Sequence, residues 1–275
     1  MRSRFVIVLL LLLVAIASFA QWRRRGRMTT EITDRGGVPV WDVEKGFEKD
    51  CFTFVRVQYS SSGYRSWGGS GDWTTDWPDA DLNLSFRLQQ LTALKVNPEP
   101  KNMRLTDKDL FDYPFIYIVE PGELLFSEEE VAILRRYLLN GGFLMVDDFW
   151  GEEQYANLYR QIKRVLPERE PVELPLEHPI FHSVFDLKEK PQIPNVARGT
   201  WSQYDGITWE LPDSKEVHYK GVFDDKGRIM VMICHNTDLG DGWEREGDNE
   251  YYFREFSEKK AYPLGINIIF YAMTH

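Results

Sequence analysis

Residues 143–149 read Phe-Leu-Met-Val-Asp-Asp-Phe, an unbroken apolar run that ends on two carboxylates. An apolar run without polar alternation is typical of a strand that is buried on both faces of a sheet. Residues 115–119 repeat this pattern, and residues 52–59 and 229–233 add two strands rich in β-branched and aromatic side chains. The sequence therefore predicts a sheet whose two faces are both covered.

Amphipathic helices are predicted between these strands. Ser127 and Glu130 have the spacing of a capping box, which marks the start of one helix, and Gly141 can adopt the left-handed conformation that ends it. Apolar residues also recur at helical spacing over residues 82–94 and 155–165. This alternation predicts an α/β fold with a mostly parallel sheet and helices on both faces.

The length of the chain and its first residues predict how the chain is organised. The chain of 275 residues is 43% hydrophobic, so it can bury a sizeable core. Residues 1–20 resemble a secretory signal, with cleavage predicted after Ala20, although the arginines that follow leave open an uncleaved N-terminal anchor. Residues 21–49 are predicted to be a linker and residues 50–275 a single domain. We therefore expect an exported protein of the periplasm or cell envelope.

The charge of the chain argues against nucleic acid as a partner. The formal net charge is −10 at pH 7, whereas a domain that binds nucleic acid presents a clustered basic face. The sequence also contains no Gly-x-Ser-x-Gly motif or comparable cysteine elbow of the kind that carries a catalytic nucleophile. Whether the domain is an enzyme stays open on this evidence.

Two carboxylates, Asp147 and Asp148, directly follow the strand at residues 143–146. In open α/β sheets, ligands bind beyond the carboxyl ends of the strands. Adjacent carboxylates at such a position are candidates for a general base or for ligands of a divalent cation. The alternative is that one carboxylate caps the next helix while the other is solvated.

A second polar group follows the strand at residues 229–233. If the two strands are parallel, His235 and Asp238 face the same edge of the sheet as the first group, which would create a shared cleft. Asp-x-x-Asp-Gly is also ordinary turn composition, so a structural loop is the alternative. The candidate catalytic residues are Asp147, Asp148 and His235. The candidate cation ligands are Asp147, Asp148, His235 and Asp238, and Asn236 and Asp241 are further candidates for ligand contacts.

Tryptophans suggest a third candidate site. Trp67, Trp73 and Trp77 lie in the loop after the first strand, and Trp150 follows the acidic pair. Such rings offer a large contact area with a polar handle, which suits a sugar or a peptide. The alternative is a loop that folds over the sheet and is held by its own aromatic side chains.

Four segments of the chain resemble the bacterial family called domain of unknown function 4159. They are residues 52–57, 77–83, 139–149 and 235–243, and the resemblance covers about residues 50–275. That family is similar to the class I glutamine-amidotransferase-like fold, which implies a flavodoxin-like α/β sandwich. Amidotransferases carry a cysteine after a central strand, where this chain has Asp147 and Asp148, so the resemblance does not extend to glutaminase chemistry.

The resemblance also implies partners. Relatives of the family resemble components found with MoxR-type ATPases and von Willebrand factor A proteins, which implies a role in cell-envelope assembly. Our leading hypothesis is a noncatalytic ligand-binding or scaffolding domain of the cell envelope, with no cofactor identified. Two alternatives stay open. One is a metal-assisted hydrolase that uses the acidic and histidine cluster around a divalent cation, and the other is a carbohydrate-binding domain that uses the tryptophans.

Overall fold

A computed structural model of the protein describes residues 32–47, 50–61 and 72–275. The chain divides into one unit over residues 1–34 and a second over residues 35–275, and the second is described below. The predicted signal, the first part of the predicted linker and Trp67 lie outside the described residues. Within the described ranges, no helix has both the length and the apolar composition needed to span a bilayer.

A seven-stranded sheet forms the centre of the fold. The strands of the described residues are β1 (Val55–Gln58), β2 (Ser60–Ser61), β3 (Lys101–Arg104), β4 (Phe115–Val119), β5 (Leu124–Leu125), β6 (Phe143–Asp147), β7 (Val172–Glu173), β8 (His218–Phe223) and β9 (Ile229–His235). The main sheet has the order β3-β1-β4-β6-β9-β8-β7, and β2 pairs with β5 separately. Strands β3, β1, β4, β6 and β9 are parallel, whereas β8 is antiparallel to both neighbours. The predicted flavodoxin-like α/β class is therefore confirmed.

Helices cover both faces of this sheet. They are α1 (Asp79–Leu91), α2 (Glu128–Leu139), α3 (Gly151–Val165), α4 (Val196–Asp205), α5 (Leu239–Glu244), α6 (Glu250–Tyr252) and α7 (Tyr262–Thr274), with a π-helical segment (Phe253–Ala261) between the last two. Helices α1, α5 and α7 contribute to one buried apolar cluster, and α2 and α3 contribute to the other. Alternate residues of β4 enter different clusters because side chains point to opposite faces along a strand.

Local signals in the sequence located both ends of α2. Ser127 and Glu130 form the predicted capping box, in which the Glu130 amide donates to Ser127 Oγ at 3.2 Å and the Ser127 amide donates to Glu130 Oε2 at 2.8 Å. Gly141 has the expected positive φ, at 109°. Helix α1 begins and ends three residues earlier than predicted. It ends at Leu91 because Thr92 has an extended backbone, and the Thr92 hydroxyl donates to Leu88 O at 2.8 Å.

Several elements occur where the sequence predicted irregular chain, between Pro167 and Val217 and just beyond it, and the longest are α4 and β8. Helix α4 was missed because its large apolar side chains, Trp201 and Tyr204, are exposed and so give no core-facing periodicity. Its start is fixed by Asn195, whose Oδ1 accepts from the Arg198 amide at 2.9 Å. Strand β8 was missed because it mixes polar and apolar side chains at the antiparallel end of the sheet.

The end of the stretch predicted as a linker contacts the domain. The Trp41 ring stacks on Phe86 with ring centroids 5.7 Å apart. Trp41 Nε1 also donates to Val96 O at 2.8 Å, and the Arg35 guanidinium pairs with Glu99 at 2.7 Å. Residues that sequence composition assigns to a connecting segment therefore add side chains to the surface of the folded unit.

Candidate functional site

Three carboxylates meet at the edge of the sheet where the parallel strands end. Asp148 follows β6, Asp238 follows β9, and Asp76 lies in the loop before α1. One oxygen from each of these residues lies within 4.8 Å of the others, and we call this set the carboxylate cluster. Strands β6 and β9 are parallel, as the shared-cleft hypothesis requires. The structure thus brings together two predicted candidates, Asp148 and Asp238, and adds Asp76.

Two members of the carboxylate cluster have a left-handed backbone conformation. The φ angle is 62° at Asp76 and 57° at Asp148. Aspartate tolerates this region better than most residues, but the conformation still carries a cost and persists only where surrounding contacts impose it. Around Asp148, Phe149 forms a bridge with Thr237, and the Asp147 carbonyl accepts from the Glu120 amide at 3.1 Å. The backbone therefore holds the Asp148 side chain at the strand end.

A buried ion pair holds the loop that carries Asp76. The Arg56 guanidinium of β1 bonds to Asp81 of α1 at 3.1 and 2.5 Å, and both side chains are fully buried. Arg56 also donates to the carbonyl oxygens of Trp73, at 3.1 Å, and of Thr75. One arginine therefore links the central sheet, the first helix and the residue that precedes Asp76.

Asp147 is adjacent to the carboxylate cluster but is used structurally. It is fully buried, and its Oδ2 accepts from the amides of Leu239, at 2.9 Å, and Gly240, at 3.1 Å. The Tyr117 hydroxyl donates to the same oxygen at 3.2 Å. Asp147 therefore fixes the first turn of α5, whose N-cap residue is Asp238.

Burial raises the pKa values of these carboxyl groups, because it disfavours their ionised form. Burial and the neighbouring charge of Asp241 raise the pKa of Asp76 to about 7, and burial raises the pKa of Asp147 to about 8. The pKa values of Asp148 and Asp238 are raised well above the ordinary range, by burial first and then by nearby carboxylates. At neutral pH, the carboxylate cluster therefore has to hold protons or a positively charged ligand.

One oxygen of the carboxylate cluster has no hydrogen-bond donor. Asp76 is only 8% exposed, and its Oδ2 is buried without a donor in the part of the chain that the structure describes. The Asp76 and Glu244 carboxyl groups share a hydrogen bond only while one of them is protonated. Gly240 lies against this oxygen, since a Cβ at position 240 would be 2.3 Å from it. A glycine at 240 therefore leaves room for the Asp76 carboxylate.

We expect Gly240→Ala to displace the Asp76 carboxylate, because the added methyl group would overlap its Oδ2 at 2.3 Å. The cost of such overpacking is about 1–3 kcal/mol. Gly247→Ala is a matched control, because a Cβ at position 247 would meet nothing within 4 Å. Urea unfolding of both variants tests the prediction, and equal stability of the two would contradict it.

A second acidic group adjoins the first. Oxygens of Asp76, Asp241 and Glu244 also lie within 4.8 Å of one another. Two of the three residues also contact groups outside this set, since Asp241 Oδ2 accepts from the Val196 amide at 2.6 Å and Glu244 pairs with Arg245 at 2.5 Å. Asp241, which sequence reasoning proposed as a ligand contact, thus helps to anchor α4 and α5.

His235 lies away from the carboxylate cluster. Its ring stacks between Phe149 and Tyr155, with centroids 4.9 Å away on each side, and Nε2 contacts Gly151 O at 3.0 Å. Burial lowers its pKa to about 4. His235 belongs to β9, and the next residue inward, Cys234, packs on the opposite face in the cluster that contains Tyr117. The structure therefore does not bring His235 together with Asp148 and Asp238.

The other predicted ligand contacts are also mainly buried. Asn236 Oδ1 accepts from the Gly151 amide at 2.8 Å, and its Nδ2 donates to Glu216 O at 2.7 Å. Trp73 and Trp150 are buried, and Trp77 is partly buried near Arg56. These three tryptophans do not form an exposed aromatic platform.

A small cavity adjoins the carboxylate cluster through Asp148. Its volume is about 260 Å³, and we call it the acidic cavity. Its lining residues are Glu120, Gly122, Glu123, Asp148, Trp150, Gln154 and Glu210. The sequence pattern indicated Asp148 and Trp150 but not the three glutamates, because Glu210 is far along the chain from Glu120 and Glu123.

Comparison with known proteins agrees with the resemblance noted in the sequence. Residues 53–273 match the family described as Domain of unknown function (DUF4159). A search of curated proteins gave no match. The matched segment contains the central sheet, the carboxylate cluster and the acidic cavity. Because the match covers most of its length, the chain belongs to the DUF4159 family.

Proposed function

We propose that this protein is a noncatalytic ligand-binding domain whose ligand is a divalent cation held by Asp76, Asp148 and Asp238. The observation that carries the proposal is the buried Asp76 Oδ2, which has no hydrogen-bond donor among the described residues and belongs to a residue of the carboxylate cluster. Buried polar atoms are nearly always paired, so an unpaired carboxylate oxygen beside two further carboxylates indicates a missing positive partner.

The donor atoms favour calcium over zinc. All three side chains offer carboxylate oxygens, which suit hard cations such as Ca²⁺, whereas zinc sites are built from histidine and cysteine as well. Two oxygens on opposite sides of a calcium ion are about 4.8 Å apart, twice the usual Ca–O distance. Because the three oxygens lie within 4.8 Å of one another, they can share one calcium ion.

Metal-assisted hydrolysis is the less supported alternative. It would use Asp147 and His235 beside the cation ligands. Asp147 Oδ2 instead accepts from two backbone amides of α5, and the His235 ring contacts Gly151 O on the other face of the sheet. Export to the cell envelope and the MoxR-type and von Willebrand factor A partners remain proposals that rest on residues 1–20 and on the family resemblance.

Calorimetric titration of the full chain with CaCl₂ tests the cation site. We expect one calcium ion per chain, and a loss in affinity of roughly a hundredfold or more in Asp148→Asn, because affinity follows the number of charged ligands. Asparagine tolerates the left-handed conformation at position 148, so the substitution preserves the backbone. It also removes a repelling charge, and the metal-free variant should melt at a higher temperature than the unsubstituted protein.

Asp225→Asn is the matched control for this titration. Asp225 is an exposed carboxylate, 87% accessible, that pairs with Arg169. The control should bind calcium like the unsubstituted protein and should not melt higher without metal. If the unsubstituted protein binds no calcium at stoichiometric level, or if both variants bind equally well, the cation proposal is wrong.

A further inference from the structure

The acidic cavity is a candidate site for a second ligand. This inference rests on the proposed cation site. The cavity shares Asp148 with the carboxylate cluster, so a molecule in the cavity would lie next to the cation. Within the described part of the chain, its lining side chains include carboxylates and an amide but no lysine, arginine or histidine. The walls therefore offer mainly hydrogen-bond acceptors.

A residue that lines the cavity also carries an unused donor. Trp150 is only 5% exposed, and its Nε1 is buried without a hydrogen-bond partner in residues 32–47, 50–61 and 72–275. The indole N–H can only donate. Glu123 Oε2 is likewise buried without a partner in these ranges, and an ionised carboxylate can only accept. A ligand that pairs with both atoms needs an acceptor for the indole N–H and a donor for the carboxylate.

We propose that the acidic cavity binds a neutral polyhydroxylated molecule, a sugar or a polyol, with one hydroxyl group coordinated to the cation at Asp148. A hydroxyl group accepts and donates at once, so it can pair with the Trp150 N–H and with the Glu123 carboxylate. Hydroxyl oxygens are also hard donors of the kind that calcium prefers. Neighbouring hydroxyl groups on one carbon chain can therefore meet all three requirements.

The charge and size of the cavity argue against other classes of ligand. An anionic ligand would be repelled by Glu120, Glu123 and Glu210 at short range. An ammonium ligand would be repelled by the divalent cation and has no acceptor for the Trp150 N–H. The volume of about 260 Å³ lies just below the usual range of small-molecule sites, which is about 300–1,000 Å³, so we expect a ligand of about one sugar unit.

Titration of the full chain, saturated with calcium, tests this inference. The probes are D-glucose, D-galactose, D-mannitol and myo-inositol, with spermidine as an organic cation and gluconate as an anion. We expect at least one of the four neutral probes to bind, and EDTA to remove that binding. Trp150→Phe keeps an aromatic side chain, although a smaller one, and loses the N–H, so it should weaken the neutral probe about tenfold and leave calcium affinity unchanged.

Trp201→Phe is the matched control, because Trp201 is 63% exposed and does not line the cavity. It should bind the neutral probe normally. Should Trp150→Phe fail to fold, Glu123→Gln replaces an acceptor with a donor and is expected to weaken the same probe.

Three outcomes overturn the inference while the cation site stands. They are calcium binding without binding of any neutral probe, preferential binding of spermidine or gluconate, and neutral-probe binding that survives EDTA. Absence of calcium binding in the unsubstituted protein overturns the proposed function itself, so the two failures are distinguishable.

Discussion

Replacing Arg56 with methionine is expected to lower the free energy of unfolding by about 3–5 kcal/mol and to abolish calcium binding. The Arg56 and Asp81 side chains are fully buried, so removal of the arginine leaves an uncompensated charge in the interior. The guanidinium also holds the carbonyl oxygens of Trp73 and Thr75. Without these bonds, the loop loses the contacts that hold Asp76 in the carboxylate cluster.

A double variant separates these two effects. Arg56→Met with Asp81→Leu removes both charges, and replacing a buried ion pair by apolar groups often restores stability. Calcium binding should stay lost, because the two loop carbonyl oxygens still lack their donor. The measurements are urea unfolding and calorimetric titration with CaCl₂. Recovery of calcium binding in the double variant would show that Arg56 does not position Asp76.

Arg254→Met is the control for the loss of a positive charge. Arg254 forms an exposed ion pair with Glu258 at 3.0 Å within one helical segment. Exposed pairs of this kind contribute little to stability, because water and salt screen the two charges. The control should therefore unfold at nearly the same urea concentration as the unsubstituted protein and bind calcium normally.

The metal-free protein is expected to lose stability as the pH rises from 6.5 to about 8. Burial first raises the folded-state pKa of Asp76 to about 7 and of Asp147 and Glu244 to about 8. The folded state then binds more protons than the unfolded state, so the free energy of unfolding falls with pH until these groups have ionised. The expected loss is on the order of 2 kcal/mol, since one pKa unit corresponds to 1.36 kcal/mol.

The lower limit of this pH window is set by His235. Burial lowers its folded-state pKa from 6.5 to about 4, so between these values the unfolded state binds the extra proton. Stability then rises with pH, which opposes the effect of the carboxyl groups. Above pH 6.5 the opposing contribution of His235 fades within about one pH unit, so the carboxyl groups dominate the slope.

Urea unfolding at several pH values measures how the free energy of unfolding changes with pH, once in EDTA and once in excess calcium. Calcium binds the ionised carboxylates and competes with protons, so we expect its stabilising effect to grow with pH. Asp76→Asn should give a shallower slope in EDTA, whereas Asp225→Asn, at an exposed position, should leave the slope unchanged. Stability that is flat or rises in EDTA above pH 6.5 would contradict the prediction.

The fold was predictable where a local pattern determines it. The bounds of β4 agree with the predicted run at residues 115–119, because an apolar run buried on both faces has sharp ends. The start of α2 agrees because the capping box is a local hydrogen-bond motif. The meeting of Asp148 and Asp238 follows from the parallel pairing of their strands.

The rest of the site depends on contacts between distant residues. Asp76 reaches the carboxylate cluster because Arg56, 25 positions before its partner Asp81, ties β1 to α1 and holds the intervening loop. No periodic pattern in the sequence reveals such a bond. The orientation of His235 depends on where β9 ends. Because the strand continues through residue 235 and side chains alternate along it, the imidazole points to the face of the sheet opposite Cys234.

The two edges of the main sheet have a consequence for assembly with other proteins. Strand β7 has only two residues, and β3 carries Lys101 and Arg104 among its four. Short strands and charged side chains at an edge are the devices by which natural sheets prevent another chain from adding a strand. A protein that recognises this domain should therefore bind its helices or loops by side-chain contacts. It should not add a strand of its own to the sheet.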